Sequence, residues 1–215
     1  MKIKKGLYLI VDPSMGKDLI IEKVKCIEHE KIVAIQLWDN FKPYQEPLKI
    51  IEELLPLCQS TSTPLLVNNR WELLLEAPID GVHFDQPPED LKLIKKSINR
   101  QISVGITCTN DLSIVEWADN HRLDYISFCS LFTSSTADSC EIVHFDTIRN
   151  ARKMTDIPIF LAGGITPEKM ELLQDLDYWG IAIVSGIMLA QNPREELRKF
   201  HQEFKKGKHE KGNQI

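Results

Sequence analysis

Short apolar runs alternate with longer segments whose apolar residues recur every three or four positions, from one end of the chain to the other. The runs predict eight strands: Leu7–Val11, Val33–Leu37, Pro64–Val67, Gly81–Phe84, Ile102–Gly105, Tyr125–Phe128, Ile159–Leu161 and Ile181–Val184. The longer segments predict amphipathic helices. Lys17–His29 puts Leu19, Ile20, Val24 and Ile27 on one face, and Pro47–Ser60 and Asp111–His121 repeat the pattern. Asn110-Asp111 and Thr166-Pro167 are helix starts, the second with proline at the first helical position. Short apolar strands that alternate with helices imply a parallel sheet with helices on its faces. Eight such units close into a single (β/α)8 TIM barrel of the α/β class. An open doubly wound sheet is the alternative. The length of 215 residues is near the lower end for one barrel.

The barrel is predicted to occupy residues 1–204 with no linker or domain boundary. The polar segment from Lys205, KKGKHEKGNQI, is predicted to be a frayed, disordered tail over 205–215. Composition adds mostly exclusions. Net charge is −5 and no basic face is visible, which argues against a nucleic-acid partner. No apolar run approaches the roughly 18 residues of a membrane span. The apolar stretch after MKIKK is too short for a signal-peptide core and meets Asp12-Pro13 at once, so it is predicted to be the first strand. The five cysteines, Cys26, Cys58, Cys108, Cys129 and Cys140, are scattered and form no CxxC pair. They predict reduced thiols in a cytoplasmic protein rather than a zinc site or a disulfide framework. A homo-oligomer is left open.

A barrel of this kind carries its chemistry at the C-terminal ends of its strands. Those ends supply Gln36, Trp38, Asn68, Asn69, Arg70, His83, Asp85, Thr107, Ser134, Thr136 and Ser185. Gly163-Gly164 follows the seventh strand, and Ser185-Gly186 follows the eighth. Glycines at these two loops let bare N–H groups approach phosphate oxygens. A lining rich in amides and hydroxyls, with Arg70 as its one obvious cation and Lys42 further out, suits a neutral heterocycle with a phosphate at one end. Trp38 serves as a stacking platform or as plain lining. His83, between Val82 and Phe84, points into the barrel or packs, and packing is the favoured reading. Trp71, Trp117 and Trp179 are predicted to be core. Asp85, Glu89 and Asp90 are the candidate magnesium ligands, against the plainer reading of a charged helix start.

These residues resemble the thiamine-phosphate synthase family, which shares its barrel with the thiazole tautomerases. The resemblance is carried by IQLWDN at 35–40, VNNR at 67–70, DGVHFDQ at 80–86, DYISFCSLFTSST at 124–136, IPIFLAGGIT at 157–166 and VSGI at 184–187. It implies an enzyme that joins hydroxymethylpyrimidine pyrophosphate to thiazole phosphate with magnesium, releasing pyrophosphate. It also implies roles by position. Gln36 and Thr107 hold the pyrimidine, while Asn68 and Arg70 face the pyrophosphate. Ser134, Thr136, Gly164, Ser185 and Gly186 hold the thiazole phosphate.

Five positions depart from the family pattern. Trp38 stands where a basic residue is usual, Asn40 and Ala137 where lysines are usual, and Asn69 and Pro88 where the metal-binding aspartates are usual. All five fall on the pyrophosphate–magnesium half. Ser130 occupies the place of the tautomerase histidine. Three readings follow: a working synthase with a rebuilt pyrophosphate site, a thiazole tautomerase-like enzyme, or a binding or regulatory homologue without catalysis.

Overall fold

The computed structural model describes residues 3–133 and 141–212. Eight parallel strands form a closed barrel in sequence order. They are β1 (Gly6–Val11), β2 (Ile32–Leu37), β3 (Leu65–Asn68), β4 (Gly81–Phe84), β5 (Ser103–Cys108), β6 (Tyr125–Phe128), β7 (Ile159–Ala162) and β8 (Gly180–Ile183). The helices are α1 (Lys17–Cys26), α2 (Pro47–Ser60), α3 (Leu73–Glu76), α4 (Leu91–Ile98), α5 (Ser113–Asn120), α6 (Phe145–Met154), α7 (Ser185–Met188) and α8 (Pro193–Gly212). The closed barrel excludes the open sheet. No helix among the described residues is long and apolar enough to cross a membrane.

Alternation along each strand sorts side chains into two layers. Outward residues such as Leu7, Leu9, Ile35, Leu37, Val104 and Leu161 pack under the helices in one large core. Inward residues form a second cluster, with Tyr8, Leu66, Tyr125 and Phe160 as its bulky members. Strand register brings these inward positions level: Tyr8 beside Ala34, Gln36 beside Leu66, Asn68 beside His83, and Gly105 beside Tyr125. Two inward glycines make the room. A Cβ at Gly105 would fall inside the Tyr125 ring, and one at Gly180 would strike the Phe160 ring and the Gly6 carbonyl. The aromatic rings then meet tilted or edge to face, with centroids 5.9 Å apart for Tyr8 and Tyr125 and 5.5 Å for Tyr125 and Phe160.

Several local expectations change. The segment after Thr166 starts with Pro167 as expected but winds as a 3-10 helix, Pro167–Leu173. Asp111 lies ahead of α5, where its carboxylate accepts the Ser113 N–H at 2.9 Å. The residues from Lys205 continue α8 as far as Gly212 instead of leaving the helix. Just before that segment the helix buries Phe200 and Phe204. Trp71 and Trp117 pack against the core, but Trp179 does not join it. The residue is 38% exposed, Lys5 lies over its ring, and its Nε1 donates to the Ile3 carbonyl.

Candidate active site

A cavity of about 420 Å³ opens at the C-terminal ends of the strands. Gln36, Trp38, Asn68, Asp85, Thr107, Gly163, Gly164, Ser185 and Gly186 all line it. Residues from β2, β3, β4, β5, β7 and β8 are thus brought to one place. Ser134 and Thr136 lie outside the described residues.

The floor is a chain of buried polar groups. Tyr8 donates its hydroxyl to Gln36 Oε1 at 2.7 Å, and the Tyr8 and Tyr125 hydroxyls are 3.0 Å apart. Tyr125 in turn meets His83 Nδ1 at 3.0 Å, and His83 Nε2 meets Thr107 Oγ1 at 2.9 Å. His83 therefore faces inward within this chain and stacks on Tyr125, with centroids 5.4 Å apart. The packing expected from its strand position is corrected. Burial lowers its pKa to about 4 against an opposing pull from Asp85, so the ring is neutral at pH 7. Burial pushes both tyrosines above their ordinary range, so both hydroxyls keep their protons. Tyr8 and Tyr125 escaped the sequence reading. Their strand positions mark them as inward, but nothing local marks them as partners.

One wall carries the amides. Asn68 Nδ2 donates to the His83 carbonyl at 3.1 Å and to Asp85 Oδ1 at 2.9 Å. Asn69 Nδ2 donates to Asp85 Oδ2 at 2.8 Å, and the Asp85 N–H returns a bond to Asn69 Oδ1. Asn69 thereby supports Asp85 without lining the cavity. Its φ of +57° sets the turn that makes this exchange. Arg70 also stays off the cavity wall. Its Nε pairs with Asp39 Oδ1 at 2.5 Å, and its guanidinium lies over Phe41. Asp90 caps α4 by accepting the Leu93 N–H at 2.9 Å, and Glu89 is exposed. Of the three carboxylates considered for magnesium, only Asp85 reaches the cavity. No group of three His, Cys, Asp or Glu side chains among the described residues could hold a metal ion by itself.

The opposite wall is built from glycine. Gly163 and Gly164 have φ of +89° and +63°, and the β6 loop packs directly on them. Leu131 N–H donates to Ala162 and Phe132 N–H to Gly163, which ties the two loops together. Lys169 anchors the same turn by donating to the Gly164 carbonyl at 3.0 Å, with its ammonium over Phe132. This lysine was not foreseen, although it lies five residues beyond Gly164. Ser185 and Gly186 open α7, where the first N–H groups have no intrahelical acceptor.

Known proteins share this arrangement of the chain. The family model described as thiamine monophosphate synthase matches residues 7–187, from β1 into α7. The thiamine-phosphate synthase of Clostridium perfringens (strain 13 / Type A) is 27% identical over 202 residues, covering 91% of this chain and 94% of its own. That of Picrophilus torridus is 29% identical over 205 residues, covering 94% of this chain and 97% of its own. The solved structure of thiamine phosphate pyrophosphorylase from Pyrococcus furiosus matches with a TM-score of 0.81 at 20% identity, covering 94% of this chain and 96% of its own. That structural likeness speaks for the fold, and the sequence match over most of the barrel speaks for kinship. The chain belongs to the thiamine monophosphate synthase family.

Proposed function

We propose that this chain joins hydroxymethylpyrimidine pyrophosphate to a thiazole phosphate, forming thiamine phosphate and releasing pyrophosphate. The observation that carries this reading is the single cavity that holds a polar, hydrogen-bonded floor and the glycine turns of β7 and β8 together. The floor suits a flat heterocycle, and the glycine turns suit a phosphate.

In the reaction the bond between the pyrimidine methylene carbon and the pyrophosphate oxygen breaks, and the electron pair leaves with pyrophosphate. The thiazole nitrogen supplies the pair for the new carbon–nitrogen bond. The protein's part is to align the two rings and stabilise the departing charge. Gln36 and Thr107 hold the pyrimidine at the two ends of the floor. Gly164, Ser185 and Gly186 present N–H groups to the thiazole phosphate, and Lys169 keeps the Gly164 turn in place. Asn68 stands between the floor and Asp85.

Magnesium is held in many phosphate sites by one or two carboxylates together with the substrate's own oxygens. Asp85 fits as one such ligand, because its two oxygens are oriented by the Asn68 and Asn69 amides at the cavity wall. The bound ion would neutralise charge on the leaving pyrophosphate. In this reading Asp85, the hydrogen-bond partner of Asn69, supplies the carboxylate that position 69 lacks.

A second reading, a homologue that binds thiazole phosphate without turnover, is favoured by one observation. Arg70 is engaged by Asp39 and does not line the cavity. Purified protein with both substrates and magnesium separates the two. Thiamine phosphate that accumulates with time and stops on chelation supports the synthase. Thiazole phosphate binding with no product supports the second reading.

A further inference from the structure

We infer that Tyr8, Tyr125 and His83 form a one-way hydrogen-bond relay that sets which end of the cavity floor donates and which accepts. Through it they select an aminopyrimidine over its oxo counterpart. The inference rests on the synthase reading for its ligand, but the relay itself belongs to the protein alone.

Each hydroxyl carries one proton, so the direction of one bond dictates the rest. Gln36 turns its oxygen inward and accepts from Tyr8. Tyr8 has then spent its proton and must accept from Tyr125. Tyr125 has likewise spent its proton and must accept from His83, which places the imidazole proton on Nδ1. His83 Nε2 is left bare and takes the Thr107 proton. The order of donation is Thr107, His83, Tyr125, Tyr8, Gln36. A turned Gln36 amide would lift this constraint, because Tyr8 would then accept from Gln36 Nε2 and keep its own proton to give.

The polarity appears at both open ends. Gln36 Nε2 has no partner among the described residues. It is also not among their fully buried unsatisfied atoms, where only His201 Nε2 is found. Gln36 lines the cavity, so with Oε1 turned to Tyr8 the amide offers Nε2 there as a donor. Thr107 Oγ1, half-buried with its proton turned inward, faces the cavity as an acceptor. A 4-aminopyrimidine complements this floor with a ring nitrogen toward Gln36 and its amino group toward Thr107. The 4-oxo ring carries N–H and C=O in place of the ring nitrogen and the amino group, so its polarity is opposite. A buried mismatch of this kind leaves polar groups unpaired on both sides.

Tyr8, Tyr125 and His83 act through Gln36 and Thr107 and are positioning residues. Tyr125→Phe removes the acceptor for His83 Nδ1–H. The ring is then free to move its proton to Nε2 and turn the Thr107 hydroxyl outward as a donor. Tyr8→Phe instead frees the Gln36 amide to rotate, and serves as the second variant if Tyr125→Phe does not fold.

The first test needs no ligand. A long-range 1H–15N spectrum of the whole protein at pH 7 reports the His83 tautomer. A proton on Nδ1 is expected, and a proton on Nε2 overturns the relay direction whatever the protein binds. The second test compares 4-amino-5-hydroxymethyl-2-methylpyrimidine pyrophosphate with its 4-oxo analogue by calorimetry. The amino ring is expected to bind at least about 100-fold more tightly to the wild type. In either tyrosine variant the preference is expected to fall to about tenfold or less, with thiazole phosphate affinity unchanged. Equal weakening of both rings would make the tyrosines structural and overturn the inference. A wild type that binds neither ring, with the proton still on Nδ1, would count against the synthase reading and against aminopyrimidine selection, and leave the relay standing.

Discussion

Gly164→Ala tests the placement of the phosphate at the glycine turn after β7. The residue sits at φ +63°, where a side chain costs about 1–2 kcal/mol. The added Cβ would stand 2.6 Å from the Phe132 carbonyl oxygen and 2.7 Å from that of Thr133. Both are backbone atoms, so the β6 and β7 loops must part. Their parting displaces the Gly164 N–H from any phosphate it serves. A hydrogen bond to a charged group contributes about 1.5–3 kcal/mol, so thiazole phosphate affinity falls roughly 10- to 150-fold. Calorimetry with thiazole phosphate reads the effect, and thermal melting shows that the variant is folded. Gly207→Ala is the control. It lies within α8, where a Cβ meets nothing closer than Gln174 Cγ at 3.8 Å, so it should gain about 0.5–1 kcal/mol and leave binding unchanged. Unchanged thiazole phosphate affinity in folded Gly164→Ala would refute the placement of the phosphate.

Three further outcomes are expected. Asp85→Asn should raise the magnesium concentration needed for half-maximal activity by about tenfold or more while sparing thiazole phosphate binding. An unchanged magnesium titration removes Asp85 from the site. Gly105→Ala should cost about 1–3 kcal/mol by driving the Tyr125 ring from its place, read as a lower urea midpoint. A midpoint equal to wild type would show that the ring is not held there. Stability should also fall in acid through His83. Its folded pKa of about 4 lies below the unfolded 6.5, so the unfolded chain takes up the proton first. The contribution is complete above pH 6.5 and is lost as pH falls towards 4, for a total of about 3 kcal/mol. Urea unfolding of wild type and His83→Gln at several pH values checks this, and equal slopes would contradict it.

The barrel was legible because its strands are buried on both faces and therefore stand out as short apolar runs, as at Gly81–Phe84 and Tyr125–Phe128. The glycine turns were legible because φ near +60 to +90° at Gly163 and Gly164 requires that residue type. The floor was not. Tyr8 and Tyr125 are 117 positions apart, and only barrel closure puts their hydroxyls together. His83 carries no local sign that distinguishes a packed ring from a bonded one. The Arg70–Asp39 pair, 31 positions apart, was hidden for the same reason. It holds through Nε the cation that the family resemblance turns toward pyrophosphate. Trp179 was misplaced because an apolar ring beside β8 reads as core, whereas its indole N–H reaches the Ile3 carbonyl and Lys5 lies over its ring.

The most direct test of the account is the stoichiometry of the reaction. Enzyme, hydroxymethylpyrimidine pyrophosphate, thiazole phosphate and magnesium are mixed, and thiamine phosphate and pyrophosphate are measured in the same samples over time. The two products are expected to rise together, one for one, over many turnovers, and both are expected to stop when magnesium is chelated. Pyrophosphate without thiamine phosphate, or neither product while thiazole phosphate still binds, would contradict the synthase reading.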